Sequence, residues 1–176
     1  MDIGSKTSYP ASSLSNFAGH RFTIDGVEIW SMEGFLQSLK FKEPEIQVTV
    51  CKLIGKKAKF RGKPKKWFQT QTLYWQGVEI KRSSKEYQVL LDRAFQAMYD
   101  QSESFRNALK ASGKATLTHS MGKNKKQDTV LTNTEFISRL NELRETGEIR
   151  QGLGTTLEFD FDSPEVKLYN QIRNEK

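Results

Sequence analysis

Three polar side chains share the spacing of one helix face and could act together in chemistry: Glu33, Gln37 and Lys40. At positions i, i+4 and i+7 they lie within about 60° of one another on an α-helix. Ser31 is a favoured N-cap type, so Glu33 falls in the first turn, where the helix dipole favours a carboxylate. Spacing alone favours a solvated polar stripe. The alternative is a carboxylate held at a helix start, with an amide and an amine beside it to orient a polar substrate.

This residue set suits the cleavage of an N-glycosidic bond. Such a bond breaks through a transition state with oxocarbenium character on the sugar, and a nearby carboxylate can stabilise that charge or activate the incoming water. Amides and amines can hold ribose hydroxyls and phosphates, and the indole of Trp30 can stack on a base. This chemistry requires no metal or redox cofactor, and we expect none.

Spacing argues against several other chemistries. His20 and His119 have no Cys or carboxylate at ligand spacing, so we expect no built-in zinc site. The Gly122-Lys123 pair lacks the earlier glycine and the following Ser or Thr of a P-loop. Neither G-x-G-x-x-G after a strand nor a G-x-S-x-G elbow occurs.

Turns and periodicity predict the elements that position these residues. Asp25-Gly26 predicts a hairpin over 22–29, and Gln76-Gly77 predicts a second one over 72–80. Apolar residues at i, i+3 and i+4 predict a core-facing helix over 84–101, with Ser83 and Glu86 at capping-box spacing. Further helices are predicted over about 103–112 and from the Thr132/Glu135 capping box to about Gly147.

The predicted fold is α+β, mainly α-helical, in one compact domain with short β-hairpins. Residues 1–13 are polar and predict a mobile or extended lead-in, so the domain proper spans 14–176. Alternation predicts a strand over 115–119, followed by a polar loop. A C-terminal extension over 153–174 is predicted to hold a strand near 157–161 and a helix over 163–174.

Composition limits the class of protein. The chain has 176 residues and one cysteine, Cys51, so an intrachain disulfide is impossible and a reducing, cytoplasmic setting is expected. No apolar run approaches the roughly 18 residues of a membrane span, and the start of the chain does not resemble a secretory signal. We expect Cys51 to be a small core residue.

The net charge of +7 comes from one stretch of the chain, where seven cations follow one another without an acid. These are Lys56, Lys57, Lys59, Arg61, Lys63, Lys65 and Lys66. Gly55, Gly62 and Pro64 predict a loop across most of this basic run. The run is either a solvated loop or a surface that neutralises phosphates, and Trp67 beside it could stack on an unpaired base. We therefore predict a nucleic-acid contact loop.

The residues from Leu14 to Phe41 resemble the opening of the NADAR family. The shared pattern is SNF at 15–17, a short hairpin containing Asp-Gly, a Trp at position 30, S-x-E ending at Glu33, and Q-x-x-K-F from Gln37. The resemblance continues more loosely to about 144. It implies a compact, largely helical N-glycosidase in which Glu33 is catalytic and Ser15, Asn16 and Phe17 help shape a ribosyl pocket. It places Gln37 and Lys40 in the substrate site.

A second family motif is matched in part. The segment His119-Ser120-Met121-Gly122-Lys123, with T-x-L-T from Thr129, resembles the H-S-x-G-K version of that motif. Members that act on riboflavin-pathway intermediates carry Trp-Gly-Asp-Gly there instead, and Asp128 lies roughly where its aspartate would be. The chain also has Gly34 where the family usually has His after the catalytic Glu.

These departures argue against the riboflavin-intermediate role and favour ADP-ribosyl substrates. The basic run favours a DNA-borne substrate, which needs phosphate contacts that a small metabolite does not. The resemblance then implies removal of ADP-ribose from ADP-ribosylated guanine in DNA, with the base single-stranded or drawn out of the stack. Three alternatives stay open. These are an N-glycosidase acting on small riboflavin-pathway or ADP-ribosyl metabolites, a noncatalytic ADP-ribose or nucleic-acid binding module, and a purely structural basic protein. Antitoxin, viral counter-defence and DNA repair are all compatible settings.

Overall fold

The computed structural model describes residues 1–150, which form the predicted α+β, mainly helical domain. The helices are α1 (Ala11–Leu14), α2 (Met32–Ser38), α3 (Pro44–Cys51), α4 (Gly55–Gly62), α5 (Lys85–Gln101), α6 (Glu103–Ala111) and α7 (Asn133–Thr146). The strands are β1 (Gly19–Ile24), β2 (Val27–Ser31), β3 (Thr72–Trp75) and β4 (Val78–Lys81), and short 3₁₀ turns cover Trp67–Gln69 and Lys126–Asp128. The predicted C-terminal strand and helix lie outside the described residues. No helix within residues 1–150 is long and apolar enough to cross a membrane.

Both predicted hairpins are present as two-stranded antiparallel sheets, β1 with β2 and β3 with β4. Their two-residue turns need a positive φ at both positions, and Asp25-Gly26 has φ of 50° and 74°. Gln76-Gly77 has φ of 46° and 86°. The glycine in each pair takes the left-handed conformation without steric cost, so the turn chemistry read from the sequence is confirmed.

Helix α5 lies at the centre of the domain and contacts β1, β4, α6 and α7. Its predicted apolar stripe is buried: Tyr87, Leu90, Leu91, Ala94, Phe95 and Met98. The cap is Ser84 and not the predicted Ser83, because the Ser84 hydroxyl accepts a hydrogen bond from the Tyr87 backbone N–H at 3.2 Å. Helix α7 begins with the predicted Thr132/Glu135 capping box and ends at Gly147, whose φ is 74°. Cys51 is fully buried, as expected, and burial raises the pKa of its thiol to about 12.

The N-terminus, predicted to be a mobile or extended lead-in, is anchored to the segment around Thr118. The Ile3 N–H donates to the Thr118 carbonyl at 2.8 Å, and the Ile3 side chain is fully buried. Asp2 accepts a hydrogen bond from the Ser120 N–H at 2.8 Å. The predicted strand over 115–119 is reduced to a single parallel bridge between Asp2 and Thr118.

The basic run is also different from the prediction: its first half is helix α4 and not a loop. Gly62 explains why the composition of this stretch predicts a loop incorrectly. It packs against α2, where a β-carbon would lie 2.0 Å from Gln37 Oε1. A glycine that looked like a helix breaker is therefore a close-packing residue inside a helix, and Ala58 is buried one turn earlier.

Buried ion pairs join β4, α5 and α7. The fully buried Arg82 guanidinium donates to both carboxylate oxygens of Glu135, at 3.0 and 2.8 Å. Arg139 on α7 donates to Asp92 on α5 at 2.9 Å. Burial raises the pKa of Asp92 to about 6, against the opposing charge of Arg139. The Arg139–Asp92 pair fixes α7 against α5, and the Arg82–Glu135 pair fixes α7 against the end of β4, since neither partner can move away without leaving a buried charge.

Replacing Arg82 by Ala should lower the free energy of unfolding by about 3–5 kcal/mol, because Glu135 would remain buried without its cation. Urea unfolding followed by circular dichroism measures this loss. The matched control is Arg21→Ala, which removes an exposed Arg from a 3.8 Å pair with Glu28 and should cost less than about 1 kcal/mol. Equal losses in the two variants would contradict a structural role for the buried pair.

Candidate active site

Glu33 stands where the β1–β2 hairpin passes into α2. Ser31 caps the helix: its hydroxyl accepts a hydrogen bond from the Gly34 N–H at 3.0 Å and donates to the Leu53 carbonyl at 2.8 Å. The Glu33 N–H donates to the Asn16 carbonyl at 2.9 Å. The backbone of Glu33 is thus held both by its helix cap and by the SNF segment.

Gly34 is packed against the end of α3. A β-carbon there would lie 2.6 Å from the Leu53 carbonyl oxygen and 2.9 Å from that of Cys51. Both obstacles are backbone atoms and cannot swing aside as a side chain could. The glycine that replaces the family's usual His is therefore required by this packing, and an imidazole at this position has no place in the site.

Gln37 orients the Glu33 carboxylate. Its Nε2 donates to Glu33 Oε1 at 2.7 Å, one helical turn away on α2. The amide is buried, and its Oε1 faces Gly62 without a hydrogen-bond partner. Because only the amide nitrogen can donate to a carboxylate, this bond fixes both the amide orientation and the carboxylate rotamer.

Several cations surround Glu33. We call Glu33, Gln37, Lys40, Lys59, His119 and Lys123 the Glu33 cluster. Burial raises the pKa of Glu33, and the Gln37 hydrogen bond, Lys40, Lys59 and His119 oppose that rise. Burial lowers the pKa of Lys40, and the charges of Lys59 and Lys123 lower it further against the attraction of Glu33. One carboxylate therefore faces an excess of positive charge, which favours an anionic ligand.

His119 and Gly122 form a turn at the edge of this cluster. The carbonyl of Ile3 lies 2.8 Å from His119 Nδ1, so Nδ1 carries a proton and donates. The Gly122 N–H donates to the His119 carbonyl at 3.1 Å. A β-carbon at Gly122 would lie 1.7 Å from Asn133 Oδ1 and 2.6 Å from a ring carbon of His119, so a larger residue there would displace these side chains. The N–H of Asn133 in turn donates to the Lys123 carbonyl at 2.9 Å, which pins the turn to the start of α7.

Asn133 was not identified by the sequence analysis. Its Oδ1 is buried without a partner beside Gly122, and the Asn16 side-chain oxygen is likewise buried and unpaired. Asn133 follows the Thr132 cap directly, and no spacing rule distinguishes it from any other first residue of a helix. Only the folded chain brings it against His119.

The SNF segment lies beside the Glu33 cluster. The Ser15 hydroxyl accepts from the Phe17 N–H at 3.2 Å and rigidifies the turn that presents Asn16. Lys59 Nζ lies 5.8 Å from the centre of the Phe17 ring. The structure therefore brings together the predicted residues Ser15, Asn16, Phe17, Glu33, Gln37, Lys40, His119, Gly122 and Lys123.

Comparison with known proteins gives this arrangement a family. A family model described as bacteriophage protein GP30.3 matches residues 8–145. The chain belongs to the GP30.3 family. An uncharacterized 17.1 kDa protein from the Gp30–rIII intergenic region of enterobacteria phage T4 is 38% identical over 148 residues, which cover 83% of this chain and 97% of that protein. The GP30.3 fold is NADAR-like: the solution structure of YbiA from E. coli, a NADAR family member, matches with a TM-score of 0.54 at 21% identity over 82% of each chain.

Two of the predicted substrate-binding residues stand apart from the Glu33 cluster in this GP30.3 protein. Trp30 lies on the outer face of β2, where its Nε1 donates to Glu28 at 3.0 Å and Arg21 stacks 4.2 Å above its ring. Strand alternation puts it opposite Ile29 and Ser31, which face inward. Asp128 is exposed in the 3₁₀ turn Lys126–Asp128 and is not among the charges that act on Glu33 or Lys40.

The basic run of the GP30.3 protein is divided among three environments. Lys59 lies in the Glu33 cluster and not in a separate loop that could contact a nucleic-acid strand. Arg61 and Lys65 lie 4.6 and 4.9 Å from the centre of the Phe41 ring. Trp67 is only 8% exposed and packs in the core, so its ring is not a stacking platform, whereas Phe60 and Phe68 are 60% and 52% exposed. Lys56, Lys57, Lys63 and Lys66 remain on the surface.

Replacing Lys40 by Gln should raise the pKa of Glu33, because the variant removes a cation that stabilises the carboxylate. Carbon-detected NMR titration of labelled glutamates measures the shift. Lys56→Gln is the matched control, since it removes an exposed cation that does not act on Glu33. A Glu33 titration that stays unchanged in Lys40→Gln would contradict the electrostatic coupling.

Proposed function

We propose that this protein hydrolyses an N-glycosidic bond and removes ADP-ribose from ADP-ribosylated guanine in DNA. The observation that carries the proposal is the Glu33 carboxylate. It is partly buried, oriented by Gln37 at 2.7 Å and surrounded by the cations of the Glu33 cluster. The NADAR-like fold supports the reaction class, since N-glycosidases share it.

The carboxylate has a defined task in this reaction. As the bond between the anomeric carbon and the base nitrogen lengthens, positive charge develops on the sugar, and Glu33 stabilises it electrostatically. A water on the same side forms a bond to the anomeric carbon and gives a proton to Glu33, while the departing base takes the bonding electron pair. Glu33 then returns that proton to the base nitrogen, so the carboxylate is regenerated. Gln37 holds the carboxylate in position throughout, because its amide N–H donates a hydrogen bond to the carboxylate and the amide itself does not ionise.

The excess of cations supports an ADP-ribosyl group over an uncharged glycoside. Lys40 follows the end of α2, Lys59 lies on α4, and Lys123 lies in the turn after His119. Positive charge therefore converges on one place from three segments of the chain. A diphosphate offers the negative charge that such a set neutralises. Asn16 and Asn133 present buried oxygens without partners at this site, which can accept hydrogen bonds from ribose hydroxyls or base amines.

DNA as the carrier is supported by the surface next to the site. The basic run contributes cations beyond those that a single nucleotide could contact, and the exposed Phe68 ring follows it in the chain. A guanine inside a duplex could not reach a partly buried carboxylate, so the substrate is a single strand or an extruded base.

Replacing Glu33 by Gln should leave the fold intact and lower turnover by roughly 10²- to 10⁴-fold. The measurement is release of ADP-ribose from a guanine-modified DNA oligonucleotide. Glu45→Gln removes an exposed carboxylate of α3 and is the matched control, with activity expected to be that of the wild type. Full activity in Glu33→Gln would overturn the assignment.

The same assay separates the alternatives. Hydrolysis of free ADP-ribosyl or riboflavin-pathway compounds without action on the oligonucleotide would indicate a small-molecule N-glycosidase. Tight binding of ADP-ribose without release from any of these substrates would indicate a binding module.

The pH profile should report the Glu33 environment. Since burial raises the pKa of Glu33 above its ordinary 4.5, the carboxylate form is lost as pH falls through that higher value. The acidic limb of kcat/KM is therefore expected above pH 4.5 and should move to still higher pH in Lys40→Gln. An acidic limb at or below 4.5 would show that Glu33 is not the titrating group.

A further inference from the structure

A shallow depression of about 230 Å³ opens beside the Glu33 cluster and shares Lys40 with it. We call it the Lys65 depression. Its lining is Lys40, Lys42, Glu43, Lys65, Lys66, Trp67, Thr70, Thr72 and Tyr74. Four lysines thus face one glutamate, so the depression carries a clear excess of positive charge.

Two backbone hydrogen bonds and one cation–ring contact hold the walls of the Lys65 depression in place. The Tyr74 N–H donates to the Leu39 carbonyl at 2.8 Å, which fixes β3 against the end of α2, where Lys40 follows. The Lys65 N–H donates to the Gly62 carbonyl at 3.1 Å and turns the chain back after α4. The Lys65 ammonium lies 4.9 Å from the centre of the buried Phe41 ring, a favourable distance for a cation over an aromatic face. The lysines are therefore presented by a fixed frame and not by a loose loop.

An exposed aromatic side chain stands next to this charge. Phe68 follows Trp67 in the 3₁₀ turn, with the two ring centres 6.5 Å apart, and it is 52% exposed. A large apolar ring beside a cationic depression is the arrangement that single-stranded nucleic acids use: phosphates pair with the lysines and an unpaired base stacks on the ring. A free nucleotide held by the Glu33 cluster would use Lys40 but neither Lys65, Lys66 nor the Phe68 ring.

We propose that the Lys65 depression binds two successive phosphodiesters of the single strand adjacent to the modified nucleotide, with Phe68 stacking on the flanking base. The placement of the modified base at Glu33 rests on the proposed function. The binding of the strand does not, because it requires no hydrolysis. Lys40, shared by both sites, marks the point where the strand passes from the depression to the scissile bond.

The test is fluorescence anisotropy with an unmodified single-stranded deoxythymidine oligonucleotide over a range of salt concentrations. In Lys65→Ala/Lys66→Ala, loss of two phosphate contacts should reduce the slope of log affinity against log salt by about 1.4. The control Lys56→Ala/Lys57→Ala removes the same charge from the exposed start of α4 and should reduce the slope by less than about 0.7. Equal reductions in the two pairs would show diffuse attraction and overturn the subsite.

Stacking is tested by a second matched pair. Phe68→Ala should weaken oligonucleotide binding at least about fivefold, the loss of one base–aromatic stack. Phe60→Ala removes an equally exposed ring from α4 and should leave the affinity unchanged. Equal effects, or preference for a duplex of the same length, would overturn the single-strand assignment.

Free ADP-ribose distinguishes the two sources of phosphate. Its affinity should be the same for the wild type and for Lys65→Ala/Lys66→Ala, and a loss that matches the oligonucleotide loss would assign the depression to the free diphosphate. Failure of the proposed function has a different signature: the wild type would bind the oligonucleotide and release no ADP-ribose from its modified form.

Discussion

Two glycines, Gly34 on α2 and Gly62 on α4, set how closely the protein can close around Glu33. A β-carbon at Gly34 would lie 2.6 Å from the backbone carbonyl oxygen of Leu53. A β-carbon at Gly62 would lie 2.0 Å from the side-chain amide oxygen of Gln37. Because neither residue carries a side chain, α3 and α4 both pack directly against α2. The resulting loss of water around the carboxylate raises the pKa of Glu33, and the same packing confines the Gln37 amide that orients it.

Burying a carboxylate is costly unless opposite charge and hydrogen bonds accompany it. Here the compensation comes from elements far apart in the chain: Lys40 after α2, Lys59 on α4 and His119 before the Gly122 turn. The positive charge of these groups exceeds the single negative charge of Glu33. The surplus positive charge is a property of the site as a whole, and an anionic substrate would relieve the repulsion that lowers the pKa of Lys40.

Contacts of Arg82, the start of α7 and the N-terminus hold in place the turn that carries His119 and Lys123. Arg82 bonds to Glu135 in the first turn of α7 and, through Nε, to the Thr129 carbonyl at 2.8 Å. The start of α7 in turn bonds to the Lys123 carbonyl through Asn133. At the other end of this segment, His119 is bound to the anchored N-terminus by the Ile3 carbonyl. The turn that carries His119 and Lys123 is therefore tied at both ends, although most of it is exposed polar chain.

Local chemistry in the sequence was enough to predict a good part of this protein. The turn pairs Asp25-Gly26 and Gln76-Gly77, the stripe of α5 and the capping box of α7 are interactions between near neighbours, and the structure contains each of them. The Glu33–Gln37 contact is of the same kind, because one helical turn separates the two residues. Tertiary structure alone decided that the basic run begins as a helix, that Trp67 is buried, that Trp30 faces outward and that Asn133 reaches His119. The physical reason is the range of the interaction: caps, turns and helix faces act over about four residues, whereas burial, a glycine's packing partner and the charges gathered around a carboxylate depend on segments that only folding brings together.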